Sequence, residues 1–162
     1  NPVGDNFLFQ YHQHAPEVTE SGTILLFDNG NFKASPFATK LTAPENFTRA
    51  VEFSINEETK EVSQVWEYGQ FIEPVIYAPF VGDANSLPLT GNVLIAFMGI
   101  IKDESGLASD FVGGGECSIR IIEVTHTTPA EKVFDLSIED SSTNVADGWQ
   151  GYRAVKLPSL YP

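Results

Sequence analysis

One cysteine, one methionine and three histidines are all that the 162-residue chain holds of those residue types. The lone Cys117 excludes an intramolecular disulfide and a zinc cluster built on paired cysteines. Basic residues are scarce too: nine Lys and Arg stand against 22 Asp and Glu, a formal net charge of −13. A nucleic-acid backbone is bound by neutralising it with Lys and Arg, so this balance excludes DNA and RNA as partners. An anionic small molecule would need a local basic cluster working against the global field. No apolar run reaches the roughly 18 residues expected of a membrane span. Neither an initiating Met nor a signal-peptide pattern stands at Asn1, so the chain reads as a processed or fragmentary one. Helical periodicity is hard to find anywhere.

What the chain has in quantity is short apolar runs cut by turn residues. Its apolar content of 42%, with 12% aromatic, is that of a globular protein able to bury a real core. Runs rich in Val, Ile and aromatics alternate with Gly, Asn, Asp and Pro, which predicts an all-β chain. The predicted strands are Thr23–Asp28, Arg49–Ile55, Val62–Tyr68, Asn92–Met98, Ser118–Thr125 and Lys132–Ile138, with a further short one at Tyr152–Leu157.

The two halves repeat one another. TESGTILLFDNG resembles LPLTGNVLIAFMG, with Gly22 on Gly91, an offset of 69. TRAVEFSI resembles SIRIIEVT, with Arg49 and Glu52 on Arg120 and Glu123, an offset of 71. QVWEYG resembles KVFDLS, with Trp66 on Phe134, an offset of 68. A turn-then-apolar strand, an R-x-x-E strand and an aromatic-acidic strand recurring in one order is the organisation of propeller blades. Long connections at Asn31–Thr48 and Lys102–Gly115 lengthen the period. A third unit opens near the end, where Pro158 follows Arg153 by five residues, as Pro88 follows Asp83. Counting back from Gly22 by the spacing of the second unit places His14 at the same position. His14, Asp83 and Arg153 are thus expected at the mouths of innermost strands, converging on one axial pocket. The expected architecture is a single partial β-propeller domain over residues 1–162. Its units run approximately over 14–82 and 83–152, with a third starting at 153–162, and the missing blades come from the same protein or from other chains.

Several motifs carry two readings. His12 and His14, two apart on an extended segment, would point the same way and could share a metal, or could be hydrogen-bonded strand-end residues. Two histidines alone are an incomplete metal site, so none is assigned. Asp28-Asn29-Gly30-Asn31 is an oxygen-rich loop that could take a structural calcium, or an Asn-Gly turn. The acidic stretch Glu139–Asp147 shares that ambiguity and reads as a solvated loop. Arg49 and Arg120 read as structural partners of the glutamates in their R-x-x-E strands. His126 falls on an outer turn, Gly113–Gly115 on a flexible connection, and Asn46-Phe47-Thr48 fits a glycosylation sequon. Trp66, Phe134 and Trp149 are expected to pack between blades.

The ordered set HQHAPEVTESGTILLFDNGN, FTRAVEFSINEETKEVSQVWEYG, YAPFVGDANSLPLTGNVLIAF and YRAVKLPSLYP resembles the C-terminal half of bacterial arylsulfotransferase-family propellers. The resemblance implies a six-bladed propeller, of which this chain would be about two and a half blades, in a periplasmic or secreted protein. It also implies transfer of a sulfuryl group from an aryl sulfate to a phenolic acceptor through a sulfohistidine, without a nucleotide sulfate donor or other cofactor. On that resemblance His14 matches a channel histidine that binds the sulfuryl group, and Lys33 is the counterpart of an arginine after the FDNG turn. Arg49 matches the family's S/T-R-x-V-E strand. The family's sulfated histidine is expected after the second unit's inner strand, where this chain has Lys102. His14 or His12 would then stand in as nucleophile, with Lys33 and Arg153 steadying the sulfate and His12, Asp83, Arg49 and Lys102 contacting substrate. The competing expectation is a non-catalytic propeller that binds a ligand or scaffolds an extracellular assembly.

Overall fold

The computed structural model of the chain describes residues 1–34, 37–110, 115–140 and 148–159. Nine strands account for its regular structure: β1 (Pro2–Val3), β2 (His14–Val18), β3 (Ile24–Asp28), β4 (Arg49–Asn56), β5 (Glu61–Tyr68), β6 (Asp83–Leu87), β7 (Asn92–Lys102), β8 (Glu116–Val124) and β9 (Lys132–Ile138). A single 3₁₀ turn, Ala43–Glu45, interrupts the connection between β3 and β4, and there is no α-helix among the described residues. The strands form two sheets of order β1-β5-β4-β3-β2 and β6-β7-β8-β9. Within each, four consecutive strands run antiparallel, and β1 adds to the first sheet as a parallel edge.

Burial explains why the β3 and β7 segments read as near-continuous apolar runs. Successive side chains of a strand face opposite sides, and both sides of these two strands are covered. Leu25 and Phe27 of β3 point into one core with Val93, Ile95 and Phe97 of β7, joined by Ala50, Trp66, Ile122 and Val124. Leu26 faces the other way, onto Val51 and Phe53, and in the second sheet Ala96 and Met98 face Ile119. The two sheets therefore stack face to face on one shared core, crossed by an edge-on contact of the Phe27 and Phe97 rings at 5.5 Å. Each such ring contributes roughly 2–3 kcal/mol by leaving water.

The pairing registers carry the internal repeat of the sequence. Leu25 pairs with Glu52 and Glu52 with Trp66 in the first sheet; Leu94 pairs with Glu123 and Glu123 with Phe134 in the second. Gly22 and Gly91 hold left-handed φ of 81° and 70° in the matching turns. His14 and Asp83 open β2 and β6.

Some expectations change. The R-x-x-E residues are not partners, because positions three apart on a strand face opposite sides. Arg49 pairs with Asp28, and Arg120 forks onto Asp135 at 2.9 and 2.8 Å. Residues 152–157 form no strand: Ala154 packs by its side chain against the Ala96–Met98–Ile119 cluster, and the segment has no backbone ladder partner among the described residues. Trp66 is buried between the sheets, whereas Phe134 and Trp149 are about half exposed (47% and 56%) and meet no further sheet among the described residues. Asn46 is buried with its Nδ2 donating to the Gly30 carbonyl, so the sequon has no free amide in the folded chain. Residues 113 and 114 and most of the 139–147 stretch lie outside the described residues.

Candidate functional site

The polar end of β3 organises the site. Apolar residues carry the strand inward through Leu25, Leu26 and Phe27, so that Asp28 and Asn29 arrive fully buried at its end. A buried carboxylate must be paired and hydrogen-bonded, and Asp28 is. Its Oδ1 accepts from the Tyr11 and Gly30 amides at 2.8 and 3.1 Å, and its Oδ2 accepts from Arg49 Nε at 3.0 Å. Arg49 sits directly opposite in the β3–β4 register and is itself fully buried. Its other nitrogens are used as well: Nη1 donates to Gln64 Oε1 at 3.0 Å and Nη2 to the Leu8 carbonyl at 2.9 Å. The guanidinium thus ties β3, β4, β5 and the N-terminal segment together. Asp28 holds an arginine, and among the described residues no group of three or more His, Cys, Asp or Glu is placed to hold a metal ion.

Asn29 is the next residue and carries His14. Its Nδ2 donates to the Ala78 and Val81 carbonyls, both at 2.8 Å, while its Oδ1 lies 2.6 Å from His14 Nδ1. Thr48 clamps the same point, donating to the Asn29 carbonyl and accepting from the Ala78 amide at 2.8 Å each. Gly30 then turns the chain away with φ of 78°; a Cβ there would meet the Phe47 carbonyl at 2.3 Å. The turn falls after the Asn-Gly pair, with Lys33 N donating to the Gly30 carbonyl at 3.2 Å around Asn31 and Phe32, and the chain does not return as a hairpin: β4 begins only at Arg49.

Lys33 is placed beneath this end rather than in it. Its Nζ is buried, 3.7 Å above the Phe47 ring and 4.0 Å from Asp28 Oδ2, with no hydrogen-bond partner among the described residues. Burial pushes its pKa down to about 8, opposed by the Asp28 charge and reinforced by the Arg49 cation. The nearby Glu67 carboxyl is raised, again chiefly by burial.

At the neighbouring strand mouth Asp83 is buried, and its Oδ2 accepts from Asn85 Nδ2 at 2.8 Å and lies 3.9 Å from Arg153 Nε. Arg153 is well exposed, so its charge is open to solvent. Asn29 links the two mouths, since the Val81 carbonyl it binds lies two residues before Asp83. Of the expected constellation, then, Asp83 and Arg153 lie 3.9 Å apart, and His14 is connected through Asn29 to the Val81 backbone, two residues short of Asp83.

His12 and Lys102 lie elsewhere. His12 has a left-handed φ of 55°, which breaks the extended run, and its exposed ring packs on Phe32 at 5.2 Å. The two histidines therefore do not form a same-side pair. Lys102 is exposed at the far end of β7, paired with Glu116, whereas Asp83 pairs with Ala96. Six residues of extended chain separate those levels, roughly 20 Å.

A contact invisible to local sequence joins the sheets. His126 Nε2 is bonded to Glu52, a buried carboxylate that also receives the Thr23 hydroxyl, and the His126 ring packs edge-on against Trp66 at 5.0 Å. Trp66 Nε1 donates to the neighbouring Thr127 carbonyl at 3.1 Å. The matching Glu123 is held by Asn92 and by Lys156, at 2.7 and 2.6 Å, which keeps its carboxyl below the usual range. His126 is on a turn, as expected, but the turn faces the other sheet.

The model of the arylsulfotransferase (ASST) family matches residues 1–153 of this chain. The chain belongs to the arylsulfotransferase family. Among curated relatives, the arylsulfate sulfotransferase AssT of Escherichia coli O6:H1 is 35% identical over 74 residues, 46% of this chain and 12% of that protein. AssT of Lelliottia amnigena is 32% identical over 75 residues, again 46% of this chain and 12% of the relative. The match thus spans about one eighth of the length of each of these two arylsulfate sulfotransferases.

Proposed function

We propose that this chain is part of a β-propeller arylsulfate sulfotransferase, contributing two blades and the start of a third, with the remaining blades completing the axial pocket. Family membership over residues 1–153 and the face-to-face stacking of two register-matched meanders support this reading. The observation that carries the site is the 2.6 Å bond from His14 Nδ1 to Asn29 Oδ1, which leaves the other ring nitrogen for chemistry. In the reaction, His14 Nε2 attacks the sulfur of an aryl sulfate in line, and the S–O bond to the ring breaks with its electron pair leaving on the phenolate. A phenolic acceptor then attacks the same sulfur, loses its proton and returns the imidazole. Charge on the equatorial oxygens needs cationic donors, as in phosphoryl transfer. Arg153 is the exposed cation at this end, held beside Asp83, and its planar fork suits two sulfate oxygens. Lys33, behind Phe47 and Asp28, tunes the field from below. No helix among the described residues is long and apolar enough to cross a membrane, and a periplasmic or secreted location is part of the proposal, supported by family membership.

The test is turnover of 4-nitrophenyl sulfate with a phenol acceptor by the full-length protein. Release of nitrophenolate should depend on the acceptor, fall by at least about a hundredfold in His14→Ala and weaken in KM in Arg153→Ala. No turnover in the full-length protein, with ligand binding indifferent to His14→Ala, defeats the reading and favours a non-catalytic ligand-binding propeller.

A further inference from the structure

Asn29 is buried, has no acidic or basic character, and every polar atom of its side chain is committed. The direction of its amide follows from its partners. Nδ2 lies 2.8 Å from two backbone carbonyls, Ala78 and Val81. Carbonyls only accept, so the group that faces them is the NH2 and the group that faces His14 is the oxygen. An amide oxygen also only accepts, so the proton in the 2.6 Å contact belongs to His14 Nδ1. The neutral imidazole has one N–H, which leaves the lone pair on Nε2. Thr48 prevents the amide from adjusting, because its hydroxyl fixes the Asn29 carbonyl and the Ala78 amide together.

We infer that Asn29 is a positioning residue that fixes His14 as the Nδ1–H tautomer, so that Nε2 alone carries the lone pair for the reaction. The tautomer assignment stands on geometry; its use in sulfuryl transfer rests on the proposed function. The second repeat lacks the device, since the residue 69 positions on from Asn29 is Met98, packed in an apolar cluster. Met98 lies within β7, which runs on to Lys102, whereas Asn29 follows the end of β3 and has its side chain committed to His14 and two backbone carbonyls.

The experiment is ¹⁵N NMR of the full-length protein carrying labelled histidine, with His14→Gln identifying the His14 signals, at a pH where the ring is neutral. A pyrrole-like Nδ1 and a pyridine-like Nε2 are expected. Asn29→Ala should shift His14 toward the Nε2–H form seen in free imidazoles, and Asn29→Leu, close in volume and without an acceptor, should do the same. An Nε2–H signal in the unsubstituted protein overturns the inference, as does an Asn29→Ala spectrum unchanged at His14. Should Asn29→Ala fail to fold, the unsubstituted spectrum and that of Asn29→Leu decide between the same two outcomes. Turnover of 4-nitrophenyl sulfate separates this inference from the functional one. Loss of at least about tenfold in kcat with the tautomer shift supports both, whereas an Nδ1–H tautomer in a protein with no turnover sustains Asn29's role and defeats the sulfotransferase reading.

Discussion

Lys33→Met tests whether a buried amine strains this fold. The Lys33 amine ordinarily loses its proton at pH 10.5 and here does so at about 8, because burial disfavours the cation by more than Asp28 favours it. Its side chain is only 12% exposed, so solvent screens little of the effect. Each tenfold change in proton affinity is about 1.4 kcal/mol, and the displacement corresponds to about 3 kcal/mol. The sign follows from linkage. Between pH 8 and 10.5 the unfolded chain binds more protons at this site than the folded one, so stability rises with pH across that window. Below pH 8 the amine is charged in both states and the full cost is present; above 10.5 it is gone. Methionine keeps the contact with Phe47 and removes the charge, while Arg49 remains on Asp28 at 3.0 Å. Urea denaturation at several values from pH 7 to 11 should show Lys33→Met more stable by about 3 kcal/mol at pH 7, the gap closing as pH rises through the window. Groups that titrate in both proteins cancel in the difference. A gap that is flat with pH, or a variant less stable at pH 7, refutes the reasoning and makes Lys33 a needed counter-ion of Asp28.

His126→Ala leaves the buried Glu52 with only its Thr23 donor and should cost about 2 kcal/mol; unfolding followed by Trp66 fluorescence should report it, and an unchanged midpoint counts against the inter-sheet tie. Asp135 is held well below the usual carboxylate range by Arg120, aided by Lys132 at 2.6 Å. Its contribution is therefore present above its unfolded value near 4 and lost as pH falls through the lower folded one. Asp135→Asn should cost about 1–2 kcal/mol at pH 7, with the two denaturation curves converging in acid; a constant gap down to pH 2 contradicts the pairing.

The strands with buried faces were legible in sequence because their side chains record burial directly. TILLFD and NVLIAFM alternate between two covered faces, and the first and last residues of β9 match the expectation outright. The inner strands β2 and β6 were harder. HAPEV contains a proline, a left-handed Ala15 and a register shift between His14 and Glu17, and DANSL has only one large apolar residue. Neither offers the β-branched or aromatic run by which a strand is recognised; only their spacing from turn glycines located them. The exposure of Phe134 was illegible for another reason. A residue equivalent to Trp66 in register is buried only where another sheet covers it, and that is a property of the neighbour.

The site was legible as positions and not as chemistry, and the repeat explains why. Residues 28–30, Asp-Asn-Gly, stand 69 positions before Phe97-Met98-Gly99 in two matching meanders, but β3 ends at Asp28 whereas β7 runs on to Lys102. Gly30 turns the first chain with a left-handed φ of 78°, whereas Gly99 lies inside β7, where the pairing with β8 shifts between Phe97 and Ile100 and a Cβ would meet the Phe80 carbonyl at 2.5 Å. An Asn-Gly pair alone reads as a tight turn, which hides Asn29 from any local argument. Compared across the repeat, the same pair is an anomaly in an otherwise apolar position. The arginines respond to this change. Arg49, facing Asp28, is drawn into the core, whereas Arg120, facing Phe97 in the equivalent register, turns to the surface and takes Asp135. One scaffold thus accepts either a hydrophobic plug or a buried polar network at this end. A buried network costs stability unless every group is paired, and here Asp28, Asn29 and Arg49 are paired throughout, with His14 as the one member that reaches the strand mouth. That polar network, with His14 at its edge, distinguishes this end of the first meander from the equivalent level of the second, where Phe97 and Met98 are buried among apolar side chains.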